Sequence, residues 1–187
     1  KAKAGKSIEE MMNLSEAYFY KFEYTEALHW INKILDREPN HVKALYNRGW
    51  FKVIQKMYEP ALHDFQRVLE LDPLHADAWD QVGSCLLHLD RLKEAKIAYQ
   101  SAVGLQPDLL RAWYNFGHYW QEVGNMEAAR ECFEKAIDDV ENGTNALRLI
   151  GQIHEAQGDL ERAINAFEQA VLKGNDDRHD RDRDHRQ

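Results

Sequence analysis

Four carboxamide side chains recur along the chain at an interval of 34 residues. They are Asn13, Asn47, Gln81 and Asn115, and the residue at the next interval is Leu149. A carboxamide offers both a hydrogen-bond donor and an acceptor, so it can pair with the C=O and N–H groups of an extended peptide without reading the peptide's sequence. The chemistry that these residues offer is therefore recognition of a polypeptide backbone.

Side chains that could break bonds or hold a metal show no comparable pattern. Cys85 and His88 lie three residues apart, but no second pair of metal ligands is nearby in the sequence. Gly5-Lys6-Ser7 is similar to the end of a phosphate-binding loop, although no strand is predicted before it. No nucleophile–base pair or carboxylate pair stands out from the acidic background. We therefore expect no catalytic residue, no metal site and no cofactor, and the protein is not expected to be an enzyme.

Composition and charge narrow the class of partner. The 187 residues are 44% hydrophobic and 30% charged, which excludes wholesale disorder. The net charge is −8, and 17 basic residues face 27 acidic ones between Ile8 and Lys173, so binding to nucleic acid is not expected. No apolar run approaches the ~20 residues of a membrane span, and two cysteines make no disulfide framework. We expect a cytoplasmic protein without membrane insertion, in a fragment or processed form that begins at Lys1.

The interval of 34 residues extends to the whole chain. Three prolines, Pro39, Pro73 and Pro107, share it. Five segments without insertions follow, namely 8–41, 42–75, 76–109, 110–143 and 144–177. Position 8 of the segments is Ser15, Gly49, Gly83, Gly117 and Gly151, and position 24 is Ile31, Phe65, Tyr99, Phe133 and Phe167. Such agreement predicts a tandem repeat.

Each repeat is predicted to form two antiparallel helices. Positions 4, 7, 8 and 11 make one apolar helical stripe, and positions 20, 24 and 27 make a second. Small residues at positions 8 and 20 let the two backbones approach closely. The predicted first helices are Ile8–Lys21, Val42–Gln55, Ala76–Leu89, Leu110–Val123 and Thr144–Gln157. The predicted second helices are Thr25–Glu38, Glu59–Asp72, Leu92–Gln106, Met126–Val140 and Leu160–Lys173.

This pattern resembles the tetratricopeptide repeat family. The third repeat shows it well, with Trp79-x-x-Val82-Gly83 followed by Ala95, Tyr99, Ala102 and Pro107. The resemblance implies an all-α fold, a right-handed α-solenoid of five helix-turn-helix repeats over 8–177. It leaves a basic flexible head at 1–7 and a disordered Asp/Arg tail at 178–187.

In this family, one face of the first helices lines a concave surface where peptides commonly bind. The predicted peptide-binding residues on that face are Asn13, Tyr46, Asn47, Trp50, Gln81, Arg111, Tyr114, Asn115, His118 and Arg148. Two alternatives stay open: the amides are ordinary solvated residues, and Trp50 is partly buried by packing between neighbouring first helices. Family members that clamp a terminal carboxylate need a set of cations that no three successive repeats supply here, so that subtype is not expected.

The sequence thus predicts a non-catalytic scaffold that binds an extended peptide or protein segment of mixed charge. One alternative is an assembly module that self-associates through its uncapped last repeat or its convex face. A weaker alternative is the targeting domain of a larger enzyme.

Overall fold

The computed structural model describes the backbone of residues 5–184 and the side chains of 5–175. The described residues form ten α-helices and no strand. The helices are α1 (Ile8–Tyr20), α2 (Tyr24–Arg37), α3 (Val42–Ile54), α4 (Tyr58–Leu71), α5 (Ala76–His88), α6 (Leu92–Leu105), α7 (Leu110–Glu122), α8 (Met126–Lys135), α9 (Gly143–Ala156) and α10 (Leu160–Asp184). Contacts divide the chain into an N-terminal unit, Lys1–Ala98, and a C-terminal unit, Tyr99–Gln187.

The two helices of a repeat meet where a small residue faces a ring. A Cβ added to Gly49 would lie 2.8 Å from the ring of Phe65, and one added to Gly151 would lie 2.6 Å from that of Phe167. Since real Cβ atoms do not approach so closely, each ring occupies the space that glycine leaves. The first repeat has Ser15 at this position, and the residue at position 24 is the smaller Ile31.

Every repeat turns between its helices at position 15 with a left-handed residue. This position holds Phe22, Lys56, Asp90, Gly124 and Gly158, with φ between 58° and 80°. The next N–H then bonds a carbonyl five residues back, for example Met57 N to Lys52 O at 2.8 Å. This is the bonding pattern of a Schellman cap, which ends a helix by satisfying its last carbonyl groups.

Two contacts fix the start of a first helix against the preceding loop. The Nδ1 atoms of His41 and His75 each accept a bond of 3.2 Å from the backbone N–H three residues later, which caps α3 and α5. The indole N–H of Trp79 donates to the carbonyl of Pro73 at 2.9 Å, and Trp113 repeats this bond one repeat later. The repeated histidines are thus helix caps.

The second repeat carries a buried charge cluster that the periodicity did not predict. Arg48 donates two bonds to the carboxylate of Asp64, at 2.9 and 2.7 Å, and Lys52 donates a third at 2.6 Å. The Asp64 side chain is 1% exposed, whereas about a quarter of the side-chain surface of Arg48 and Lys52 is exposed to solvent. Positions 7 and 11 of this repeat therefore pack through ion pairs, where an apolar stripe was expected.

One helix ends earlier than predicted. The helix α8 stops at Lys135, five residues before the predicted end at Val140. The side chain of Asp139 accepts bonds of 3.1 and 2.8 Å from the backbone N–H groups two and three residues later, which holds a turn instead. Gly143 then begins α9, so close to the carbonyl oxygen of Ile137 that a Cβ would overlap it.

The chain ends also differ from expectation. The helix α10 continues beyond its predicted end at Lys173 to Asp184, so 178–184 has helical backbone where the sequence predicts disorder. Residues 185–187 and 1–4 lie outside the described part of the chain. Ser7, assigned to the flexible head, caps α1 through a reciprocal pair of hydrogen bonds with Glu10.

Candidate functional site

In the N-terminal unit, the predicted amides differ in their exposure. Asn13 on α1 is exposed and Asn47 on α3 is half-buried. Gln81 on α5 is only 7% exposed, and its Nε2 donates to the Oδ2 atom of the fully buried Asp80 at 3.3 Å. The expectation that Gln81 lies on an open face therefore needs correction. Its amide helps to satisfy a buried carboxylate, because such a group is costly without hydrogen bonds.

The predicted aromatic anchors of this unit are committed to packing. The ring of Tyr46 stacks on that of His75, with 5.2 Å between the ring centroids. The ring of Trp50 on α3 meets that of Phe19 on α1 edge-on, with a centroid distance of 5.1 Å. Both Tyr46 and Trp50 are half-buried. The structure thus supports the alternative that neighbouring first helices bury part of Trp50, while each ring keeps some exposed surface.

An ion pair joins the first helices α1 and α3 on the same face. Lys43 Nζ donates to Glu16 Oε1 at 2.7 Å, and these residues occupy position 2 of the second repeat and position 9 of the first. Both side chains are well exposed, so the pair stabilises the fold by about 1 kcal/mol at most. Its effect is to occupy the seam between the two helices.

In the C-terminal unit, the equivalent seam between α7 and α9 is an open pocket of about 180 Å³. Three predicted residues line it together: Tyr114, His118 and Arg148. The pocket is completed by Asn145, Leu149 and Gln152. The sequence prediction omitted these three, although they stand at positions 2, 6 and 9 of the fifth repeat, which the helical geometry assigns to this face.

The remaining two predicted residues of this unit lie outside the pocket lining. Arg111 and Asn115 are half-buried on α7, and both have interaction partners. The structure therefore brings together three of the five residues predicted here.

Burial shifts the pKa values of the two aromatic side chains that line the pocket, Tyr114 and His118. The rings of Tyr114 and His118 meet edge-on at 4.7 Å, and His118 also packs on Phe133 at 5.4 Å. Burial raises the pKa of the Tyr114 phenol above its usual 10. Desolvation lowers the pKa of His118 below its usual 6.5, an effect that a hydrogen bond with Gln121 opposes. At neutral pH, the wall therefore presents a phenol and a neutral imidazole.

The described residues give little support for a reactive thiol or a metal site. Burial raises the pKa of Cys85 to about 12 and that of Cys132 to about 11, so neither thiol is a ready nucleophile. Across the described residues, no three His, Cys, Asp or Glu side chains gather as metal ligands would. No described helix is long and apolar enough to cross a bilayer.

Comparisons with known proteins agree with the helical repeat fold. Two family models, both of the tetratricopeptide repeat, match residues 57–109 and 108–171. A crystal structure of MamA is 25% identical, with a TM-score of 0.74 over 88% of this chain and 96% of that one. MamA 41-end from Desulfovibrio magneticus RS-1 is 23% identical, with a TM-score of 0.75 over 93% and 98% of the two chains.

A third similar structure is YrrB, described as a TPR protein with an unusual peptide-binding site. It is 21% identical, with a TM-score of 0.65 over 94% of this chain and 92% of that one. A search of curated proteins finds no match. The structural likenesses confirm the predicted all-α repeat fold.

Proposed function

We propose that this chain, which belongs to the tetratricopeptide repeat family and has the fold of a protein-interaction scaffold, binds an extended peptide or protein segment on the exposed faces of its first helices. One observation carries the proposal: Tyr114, His118 and Arg148, predicted from their repeat positions, line a single pocket between α7 and α9. YrrB, which shares the fold, is described as having a peptide-binding site.

The division of work among the side chains follows from their chemistry. Asn47 and Asn115 each offer a donor and an acceptor to the backbone of the bound segment. The rings of Tyr46 and Trp50 keep half-exposed edges for apolar side chains, because aromatic residues supply large contact area at low entropic cost. Recognition of this kind needs no catalytic group.

The test uses a random peptide library displayed on phage and selected on the wild-type chain. The variant Asn47→Ala with Asn115→Ala is then titrated with the enriched peptides. We expect the dissociation constant to rise about tenfold or more, since each lost hydrogen bond costs about 0.5–1.5 kcal/mol. Circular dichroism and the melting temperature should stay near the wild-type values.

A matched control replaces two asparagines outside this face. Asn32→Ala with Asn165→Ala removes exposed amides from the second helices α2 and α10, and it should leave peptide affinity unchanged. The proposal is contradicted if the library yields no binder, or if the two double variants bind equally well.

A second candidate function, self-association, is favoured by an apolar surface on α10. Leu160, Ile164, Val171 and Leu172 are each at least 58% exposed, and the last three border a depression of about 490 Å³ with Phe167. A second copy of the chain could cover this surface with its own. Sedimentation should then show a dimer that Ile164→Lys dissociates and that Val140→Lys, at another exposed apolar site, leaves intact. A monomer at every concentration would exclude this function.

A further inference from the structure

The pocket between α7 and α9 contains a positive charge without a negative counterpart. Arg148 makes no hydrogen bond or ion pair with another described residue, whereas every other arginine within 5–175 has a partner. No acidic residue lines the pocket, although the chain carries a net charge of −8. Arg148 is exposed, so its guanidinium is available to pair with a ligand that brings its own negative charge.

The size of the pocket limits that ligand to one side chain. A dry cavity of about 150 Å³ is enough for a benzene molecule, so about 180 Å³ accommodates a single amino-acid side chain but not a helix. The pocket is also open to solvent, which suits a side chain that projects from an extended segment.

The neutral donors around the pocket favour an acceptor. Asn145 and Gln152 each have two amide N–H groups, and Tyr114 has a protonated phenol. A basic ligand side chain would be repelled by Arg148. An apolar one would remove water from these polar groups without replacing their hydrogen bonds, which is costly. A carboxylate can accept hydrogen bonds from such donors and pairs with the guanidinium, which can bind it through two parallel bonds.

We infer that this pocket is a specificity subsite for the carboxylate side chain of an aspartate or glutamate in the bound segment. The inference rests on the proposed function, since it names one residue of the peptide that the first-helix face would bind. The pair would remain partly exposed, so its contribution is modest and weakens as salt rises. Its main consequence is the choice of partner.

The first experiment is a cycle of substitutions on both sides of the contact. Peptides enriched from the library on the wild-type chain should share an acidic residue at one position. Replacing that residue by its amide should weaken binding about fivefold, and Arg148→Gln should weaken binding of the acidic peptide by the same factor. When both changes are combined, we expect the same loss of about fivefold in affinity as for either change alone. Arg162→Gln, which alters an exposed arginine on α10, serves as the control.

Three outcomes would overturn the inference. The enriched peptides could lack a shared acidic residue, or Arg148→Gln could weaken acidic and amide peptides equally. A phosphoserine peptide that binds more than tenfold tighter than the glutamate peptide would assign the subsite to phosphate rather than to a carboxylate.

A second experiment separates this inference from the proposed function. N-acetylglutamate N′-methylamide is titrated into ¹⁵N-labelled protein, and the glutamine analogue is the control. The glutamate compound alone should shift the side-chain signals of Arg148 and His118, and Arg148→Gln should abolish the His118 shift. If peptides do not bind but this shift occurs, the proposed function fails and the subsite stands. If peptides bind and neither compound causes a shift, the subsite is overturned and the function stands.

Discussion

The second and fourth repeats place different chemistry on the same pair of helices. At positions 7, 11 and 23, the second repeat has Arg48, Lys52 and Asp64, and the fourth has Phe116, Trp120 and Cys132. The first set forms a buried ion cluster. In the second set, the rings of Phe116 and Trp120 lie 5.4 Å apart and Cys132 is 5% exposed. Both repeats nevertheless fold into the same helical hairpin.

The feature common to both repeats is the contact between positions 8 and 24. Gly49 lies under the ring of Phe65, and Gly117 lies under that of Phe133. Since this contact sets how closely the two helices approach, the flanking positions can be ionic or aromatic without changing the hairpin. The same freedom extends to the proposed binding face, where position 9 is Trp50 in one repeat and His118 in the other.

The largest expected effect comes from breaking the buried ion cluster of the second repeat, which the aromatic interior of the fourth repeat lacks. Asp64→Ala would leave Arg48 and Lys52 partly buried without a counter-charge. Breaking a buried pair costs about 3–5 kcal/mol, and we expect about 3 kcal/mol because both cations keep some exposure. Urea unfolding followed by circular dichroism measures this loss. A loss below about 1 kcal/mol would show that the cluster does not stabilise the second repeat.

Two controls sharpen this prediction. Cys132→Ala changes the equivalent position of the fourth repeat and should cost only about 1 kcal/mol, since it removes one small buried group. Replacing Arg48, Lys52 and Asp64 together by Phe, Trp and Cys would give the second repeat the interior of the fourth. That variant should fold with stability close to the wild type, because an apolar set of suitable volume can replace a buried ion cluster.

The next effect concerns the contact that the two repeats share. Gly117→Ser should cost about 1–2 kcal/mol, because overpacking against Phe133 outweighs the better helix propensity of serine. The first repeat has Ser15 with Ile31 at these positions. Gly117→Ser should therefore cost at least about 1 kcal/mol less when Phe133→Ile is also present. Unfolding free energies of the four proteins measure this coupling, and an equal cost on both backgrounds would contradict it.

The sequence predicts the fold well because the same packing contact repeats. Glycine and a ring recur 16 residues apart, as in Gly49 and Phe65, so the helix pairs and their order follow from periodicity alone. What breaks the period was not predictable. The early end of α8 depends on the side chain of Asp139 and on the close approach of Gly143 to the preceding turn. The other repeats have no aspartate at the first of these positions and no glycine at the second.

The site was harder to predict, since repeat position gives the direction of a side chain but not its neighbours. Position 6 is half-buried at Asn47 yet buried at Gln81, whose amide donates to the buried Asp80 beside it. Position 9 leaves a pocket at His118, whereas Trp50 packs on Phe19 of the preceding repeat. The first difference involves a neighbouring residue and the second a contact between repeats, and a single column of residues contains neither.

The smallest effect is a pH dependence confined to the fourth repeat. The pKa of His118 lies below 6.5 in the folded chain, because desolvation disfavours the imidazolium. As the pH falls through that value, His118 gains a proton and adds a second positive charge beside Arg148. A ligand carboxylate, with a usual pKa of about 4.3, stays ionised while the pH is well above that value. Binding of an acidic peptide should therefore strengthen as the pH falls below 6.5 toward the pKa of His118.

Fluorescence polarisation of a labelled acidic peptide measures this dependence, and its amide analogue should show none. His118→Asn keeps a polar side chain that does not titrate, and it should abolish the change with pH. The sign for folding is opposite: a depressed histidine pKa means that the unfolded chain takes up the proton more readily, so stability falls as the pH drops below 6.5. Tighter acidic-peptide binding in a less stable protein is thus expected, and affinity that falls together with stability would show that His118 does not face the ligand's charge.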